Sequence, residues 1–323
     1  SNIPANILIM LDNSGSMRAK LYASVLINYP IDTATDSSGN VYAMEYHNNR
    51  IKVFNSSGAY LRSFGSYGSG CSQWKNARQF TIANNKIYIA DTYGKRIVIL
   101  NLNGTCSRVA ATNYNYPHAI TANSNSLYVG YAHLYGGHSY ITYHHPTYGY
   151  TCSNLSMSPQ MLYFPWGMSF NSAGTKIIVA DFQYNKLVEL SAFGGSCSGG
   201  GIGYSKNSAS TSNPYAYGSY SSSNGKFRNP IDAGYDSSGN IYATDYYNNR
   251  IQKFNSSFVY QAKVGRRSTT SGFREPYGMH IDSNDKIYVA DYYNQAVRQY
   301  DTSLSETATY GGGSGTRLSA AKK

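Results

Sequence analysis

Residues Pro30 to Ser57 return almost unchanged, without a gap, as Pro230 to Ser257. Both copies open on Pro-Ile-Asp and pass through Asp-Ser-Ser-Gly-Asn (36–40 and 236–240). Both reach Asn-Asn-Arg-Ile (48–51 and 248–251) and end on Phe-Asn-Ser-Ser. A chain that repeats itself at this level is built from one supersecondary unit, and the unit must be found first. Weaker copies fill the interval. One runs from Ala77 through Ile87-Tyr-Ile-Ala-Asp91 to Arg96-Ile-Val-Ile, and another from Pro117 through Leu127-Tyr-Val-Gly130. A third runs from Pro165 through Ile177-Ile-Val-Ala-Asp181 to Lys186, and a last from Pro276 through Ile287-Tyr-Val-Ala-Asp291 to Arg298. Six units starting at 30, 77, 117, 165, 230 and 276 lie 40 to 65 residues apart, the period of a four-stranded blade.

Each unit reads as strands. In the fifth, Pro230–Tyr235 predicts a first strand and Asp236–Asn240 a hairpin turn with Gly239 at positive φ. Ile241–Thr244 predicts a second strand, Tyr246–Asn249 a turn, Arg250–Phe254 a third strand and Val259–Val264 a fourth. The second strand is apolar or aromatic on both faces, as when blades pack on both sides. One blade cannot cover both faces, so a closed ring is required.

The pattern Pro-x-Gly-Ile/Met, Gly-Asn-Ile-Tyr-x-Ala-Asp, Asn-x-Arg-Ile resembles the NHL repeat over residues 29 to 313. The second unit lacks the leading Pro, and the third lacks the Asp and the Asn-Arg pair. The resemblance implies an all-β, six-bladed propeller with blades starting near 29, 76, 116, 164, 229 and 275. It implies no single function, since one fold hosts many. A Gly/Ser/Tyr-rich insertion is expected at 194–226 and a basic tail at 314–323. The insertion reads as either a contact surface or a flexible segment.

Residues 1–28 stand before the first unit. Ile7, Leu8, Ile9, Met10 and Leu11 form an apolar strand, followed by Asp12, Ser14 and Ser16. Asp-x-Ser-x-Ser resembles the opening metal motif of von Willebrand factor A domains. With Pro4-Ala-Asn ahead of it, the segment resembles the start of type IV pilus tip adhesins of the PilY family. The rest of such a domain is missing, and three oxygens make a poor hard-cation site. The segment reads better as a hairpin with Leu21–Ile27 as its second strand and any metal role vestigial. That pair is surplus to six blades. It closes this ring, packs outside it, or pairs with a neighbour's edge and so makes a filament.

Cys71, Cys106, Cys152 and Cys197 form no C-x-x-C pair. They read as disulfides in an oxidising, extracellular setting. Three connectivities are open, with Cys71–Cys106 and Cys152–Cys197 favoured by proximity. No apolar run approaches the roughly 18 residues that span a membrane.

Charged residues make up only 13% of the chain, but the net charge is +11 and Tyr numbers 34. Tyr46, Tyr93, Tyr184, Tyr246, Tyr247, Tyr292 and Tyr293 fall in the turns between second and third strands, with Arg50, Arg96 and Arg250 beside them. Aromatics beside Arg can stack on sugars or bases. Acidic and basic residues five apart (Glu45/Arg50, Asp91/Arg96, Asp181/Lys186, Asp245/Arg250) either face a ligand or, the reading favoured by their recurrence, tie each turn. His118 and His280 occupy different repeat positions, and His144-His145 point oppositely in a strand. With no H-E-x-x-H, Gly-x-Ser-x-Gly or phosphate loop, the sequence predicts a non-enzymatic, extracellular propeller. It needs no cofactor and serves attachment or self-assembly as a homo-oligomer, filament or pilus component. The alternative is a binding module for an anionic polymer, DNA or acidic polysaccharide. A metal-dependent lyase or hydrolase comes third.

Overall fold

The computed structural model describes residues 26–111, 116–124, 126–132, 139–144, 151–155, 162–192, 216–266 and 272–311. Its strands form six antiparallel four-stranded sheets, each built from consecutive segments. Blade 1 holds β1 (Pro30–Thr35), β2 (Val41–Glu45), β3 (Arg50–Phe54) and β4 (Tyr60–Phe64). Blade 2 holds β5 (Phe80–Ala83), β6 (Lys86–Asp91), β7 (Arg96–Asn101) and β8 (Cys106–Ala111). Blade 3 holds β9 (Tyr116–Ala122), β10 (Leu127–Ala132), β11 (Tyr140–His144) and β12 (Thr151–Leu155). Blade 4 holds β13 (Pro165–Phe170), β14 (Lys176–Asp181), β15 (Lys186–Ser191) and β16 (Ala216–Tyr217). Blade 5 holds β17 (Pro230–Tyr235), β18 (Ile241–Asp245), β19 (Arg250–Phe254) and β20 (Tyr260–Val264). Blade 6 holds β21 (Pro276–Ile281), β22 (Ile287–Asp291), β23 (Ala296–Tyr300) and β24 (Glu306–Gly311). The first strand of each blade touches that of the next, and β21 returns to β1. The result is the expected six-bladed propeller.

Burial follows the radial position of each strand. β2, β18 and β22 are buried at every residue, because both faces of a second strand meet neighbouring blades. The outer strands β4 and β20 alternate between half-buried and exposed, with one face in water. The turn chemistry repeats as well. The Asp236 carboxylate accepts Ser238 N (3.0 Å), Asn240 N (2.8 Å) and the Tyr242 hydroxyl (3.0 Å), and Asp36 does the same for Ser38, Asn40 and Tyr42.

The ring closes through a repeated contact. At four joints a positive-φ glycine stands at or just after the end of the outer strand, and a large side chain from the connection to the next blade lies where its Cβ would be. Gly65 meets Trp74, Gly218 meets Phe227 and Gly265 meets Phe273. At the seam Gly311 meets Ile27 in the same way. Leu26 and Ile27, expected in a strand, are in none. Ile27 takes the slot that an aromatic fills elsewhere. The six sheets draw all their strands from residues 30–311, so no strand of residues 1–25 is needed to complete them. Ile7–Leu11, Asp12, Ser14 and Ser16 lie outside the described residues, as does the tail from 312. Strand β16 and the ordered connection after it fall inside the expected insertion.

Cys71 and Cys106 form a disulfide with Cα atoms 5.4 Å apart, tying the connection after blade 1 to blade 2. The side chains of Cys152 and Cys197 lie outside the described residues.

Candidate functional site on the aromatic face

Second strands end, third strands begin and first strands begin on one face of the ring. There, in the five blades whose turn is described, the turn between second and third strands bonds to the connection entering its own blade. Tyr46 N donates to Tyr29 O, Tyr93 N to Lys75 O, Tyr247 N to Arg228 O and Tyr293 N to Arg274 O. In the five blades other than blade 3 an acidic residue closes the second strand, and it accepts from the same connection. Asp91 takes Lys75 N (2.6 Å), Asp245 takes Arg228 N (2.7 Å) and Asp291 takes Arg274 N (2.9 Å). The left-handed Asn49, Asn185 and Asn249 reach across to the following blade, accepting from Asn76, Asn229 and Glu275 N.

This architecture uses up the arginines expected to face a ligand. Arg96 and Arg250 each bond their own Asp at 2.7 Å and also donate to carbonyls of the preceding connection. Arg50 pairs with Glu45. Arg250 is 5% exposed and Arg50 33%. All three are thus held within their own turns, the reading that the recurrence of the acid/base pairs favours. Blade 6 has Ala296 in that slot, and Arg298 supplies the ion pair to Asp291 instead. The fourth acid/base pair departs from the pattern, since Lys186 lies over the Tyr184 ring at 4.7 Å.

The tyrosines split into two circles. Tyr93, Tyr184, Tyr247 and Tyr293 are exposed on the rim, joined by Tyr67, Tyr163 and Tyr220 from the connections. Cations stack against this rim: Lys95 over Tyr116 (4.7 Å), Arg228 over Tyr220 (5.3 Å) and Arg274 over Tyr293 (5.2 Å). Carboxylates are scarce on this face. Glu45, Asp91, Asp181, Asp245 and Asp291 are all buried, and half-buried Glu275 accepts the Tyr246 hydroxyl. Asp36, Asp282, Asp285 and Asp301 sit in turns at the other ends of the strands. The aromatic face thus presents cations and phenol rings and almost no exposed negative charge.

The inner circle turns toward the axis. Tyr46, Phe182, Tyr246 and Tyr292 are partly buried there. Beneath them lies the second residue of the unit in four blades: Arg78, His118, Trp166 and Tyr277 from blades 2, 3, 4 and 6. Arg78 stacks on Tyr46 (4.6 Å) and Trp166 (5.2 Å) and donates to the Tyr277 hydroxyl (3.3 Å). The third residue of each unit forms a floor. Gln79 accepts from Ile120 N (2.7 Å) and donates to Asp232 (3.3 Å), Asp232 accepts from Met279 N (3.0 Å), and Asp32 accepts from Phe80 N (2.8 Å). One polar plug thereby spans the axis. Burial pushes the Asp232 carboxyl up to about 7, and Asp32 is raised by burial and by Asp232.

None of Arg78, His118, Trp166 and Tyr277 belongs to the set of site residues chosen from sequence. The signal was the column itself: reading the second residue of every unit collects all four. His118 is the second residue of its unit and His280 the fifth of its own, where it bonds Thr35 at 2.9 Å. No group of three or more metal-ligating side chains occurs among the described residues. A cleft of about 240 Å³ elsewhere, between blades 4 and 5, is already occupied electrostatically, with Lys176 and Tyr235 both bonded to Glu189.

His118 offers a test of this packing. It is 2% exposed, and burial plus the nearby Arg78 charge lower its pKa to about 3. Its folded-state pKa is depressed, so stability is lost as pH falls below the unfolded value near 6.5. Removing the imidazole therefore helps more in acid. His118→Phe is expected to gain about 2 kcal/mol more at pH 5 than at pH 8, measured by urea unfolding at both pH values. Equal effects at the two pH values would contradict a buried neutral imidazole.

Residues 227–254 match the NHL repeat model, and residues 24–144 match a model described as a 6-bladed beta-propeller. The chain is a six-bladed propeller that carries an NHL repeat at residues 227–254. No curated protein matches it in sequence. Among solved structures it resembles a streptogramin B lyase (12% identity, TM-score 0.59, covering 90% of this chain and 85% of that one). It also resembles a Kuenenia stuttgartiensis hydrazine synthase (11%, 0.59, 85% and 84%) and a luciferin-regenerating enzyme (12%, 0.59, 92% and 97%). At these identities the likeness is one of fold. It nevertheless overturns the expectation that this chain is not an enzyme. Enzymes are carried on rings of this shape, so the missing hydrolase and protease motifs exclude nothing about the NHL-type ring.

Proposed function

We propose that this chain binds an acidic polysaccharide, as ligand or substrate, across the aromatic face. The observation that carries the reading is the separation of charge: the acids of that face are buried or bonded, while its cations lie against exposed tyrosines. Phenol rings suit the flat faces of sugar rings, and their hydroxyls remain free to bond. Charge is sparse on this protein, 13% of residues. That suits a polymer charged at every other sugar better than DNA, whose affinity draws on many phosphate contacts. The disulfide and the N-terminal resemblance to pilus tip adhesins fit an extracellular attachment setting for such a ligand.

Calorimetric titration with hyaluronan fragments, neutral dextran and single-stranded DNA tests this. Hyaluronan is expected to bind, to weaken roughly tenfold or more between about 50 and 200 mM salt, and to outcompete both others. Sizing the polymer afterwards reads turnover in the same sample. Equal binding of dextran, or binding of DNA alone, would contradict the proposal.

A further inference from the structure

Buried polar nitrogens without partners gather at the axis. Arg78 Nε and Trp166 Nε1 are buried with no partner, and both ring nitrogens of His118 are unpartnered. These groups are mutual neighbours: the Arg78 guanidinium is 5.2 Å from the Trp166 ring, and His118 is 5.7 Å from it. Leaving a buried donor unmade is costly, and each such group calls for an explanation. The ion pairs of the described residues engage Arg50, Lys52, Arg96, Lys176, Arg250 and Arg298, and none engages Arg78. The carboxylates of the floor do not serve it, since Asp32 and Asp232 face backbone N–H groups and Gln79.

A cation, a set of idle donors and walls of stacked rings lack one thing, a planar acceptor of negative charge. We propose that this basket is a subsite for one carboxylate carried on a six-membered ring, a single uronate residue. The proposal rests on the polysaccharide reading for the identity of the ring. The carboxylate would take Arg78 Nε and the nearby Trp166 and His118 donors, a fork that guanidinium matches and ammonium does not. The aromatic walls would hold the ring.

The test is calorimetric titration of the whole chain with D-glucuronate and with D-glucose. Glucuronate is expected to bind and glucose not. Arg78→Gln is expected to weaken glucuronate at least tenfold, and Arg78→Lys to recover only part. Trp166→Phe keeps the stacked wall, removes only the Nε1 donor, and is expected to weaken it several-fold. Near-UV circular dichroism confirms that each variant is folded, and Trp166→Phe decides the matter should Arg78→Gln not fold. The rim variant Tyr293→Ala is expected to weaken hyaluronan and leave glucuronate unchanged. Glucose binding as well as glucuronate, or undiminished glucuronate binding in folded Arg78 and Trp166 variants, overturns the subsite. Glucuronate binding without hyaluronan binding would instead retain the subsite and remove the polymer reading.

Discussion

Gly265→Ala will destabilise the ring by about 3 kcal/mol, measured as the change in urea unfolding free energy. Gly265 directly follows β20 at φ +109°, where L side chains are strained, and a Cβ there would sit 2.5 Å from Phe273 and 2.8 Å from Asn249 O. Phe273 is fully buried between blades 5 and 6 and cannot retreat without opening the joint. Gly239→Ala is the matched control. Its φ is +79°, but the nearest atom to a new Cβ is 3.7 Å away, so only backbone strain of about 1 kcal/mol is added. Equal losses at the two sites would show that the joint does not depend on the close approach.

Asp245→Ala is expected to cost about 3 to 5 kcal/mol, more than its contacts seem worth one by one. The carboxylate holds Arg228 N, Asn248 Nδ2 and the Arg250 guanidinium, and it is fully buried. Its loss strands a charge that is itself 5% exposed. Arg250→Met added to Asp245→Ala should then recover part of the loss, since the stranded charge is gone. By contrast Lys176, 48% exposed and paired with Glu189 at 2.8 Å, should cost under about 1 kcal/mol when replaced by alanine. A double variant no better than the single would place the cost in the backbone cap alone.

The ring was readable in the sequence because each blade states it again. Pro30 and Pro230, Asp36 and Asp236, Tyr42 and Tyr242 stand in equivalent places, and local turn chemistry makes the hairpins. The Glu45/Arg50 and Asp245/Arg250 spacing was legible as a tie within each turn for the same reason. The axial site was not legible. Arg78, His118, Trp166 and Tyr277 are four different residues at one repeat position, so no shared residue type marks that column. What joins them is closure of the ring, which brings together residues as far apart as 78 and 277. The rim was half legible: turn tyrosines were found, but sequence could not separate Tyr246, turned to the axis, from Tyr247, turned to water. Adjacent residues of one short turn part company there for reasons of packing alone.

Two charge-reversal variants with the same net change test the account most directly. One carries Lys95→Glu and Arg274→Glu on the aromatic face, and the other Lys176→Glu and Lys286→Glu at the opposite ends of the strands. Affinity for hyaluronan is measured for both at low salt. A loss of at least tenfold is expected for the first and little change for the second. Equal losses would mean that only net charge matters, and a loss confined to the second would put the ligand on the other side of the ring.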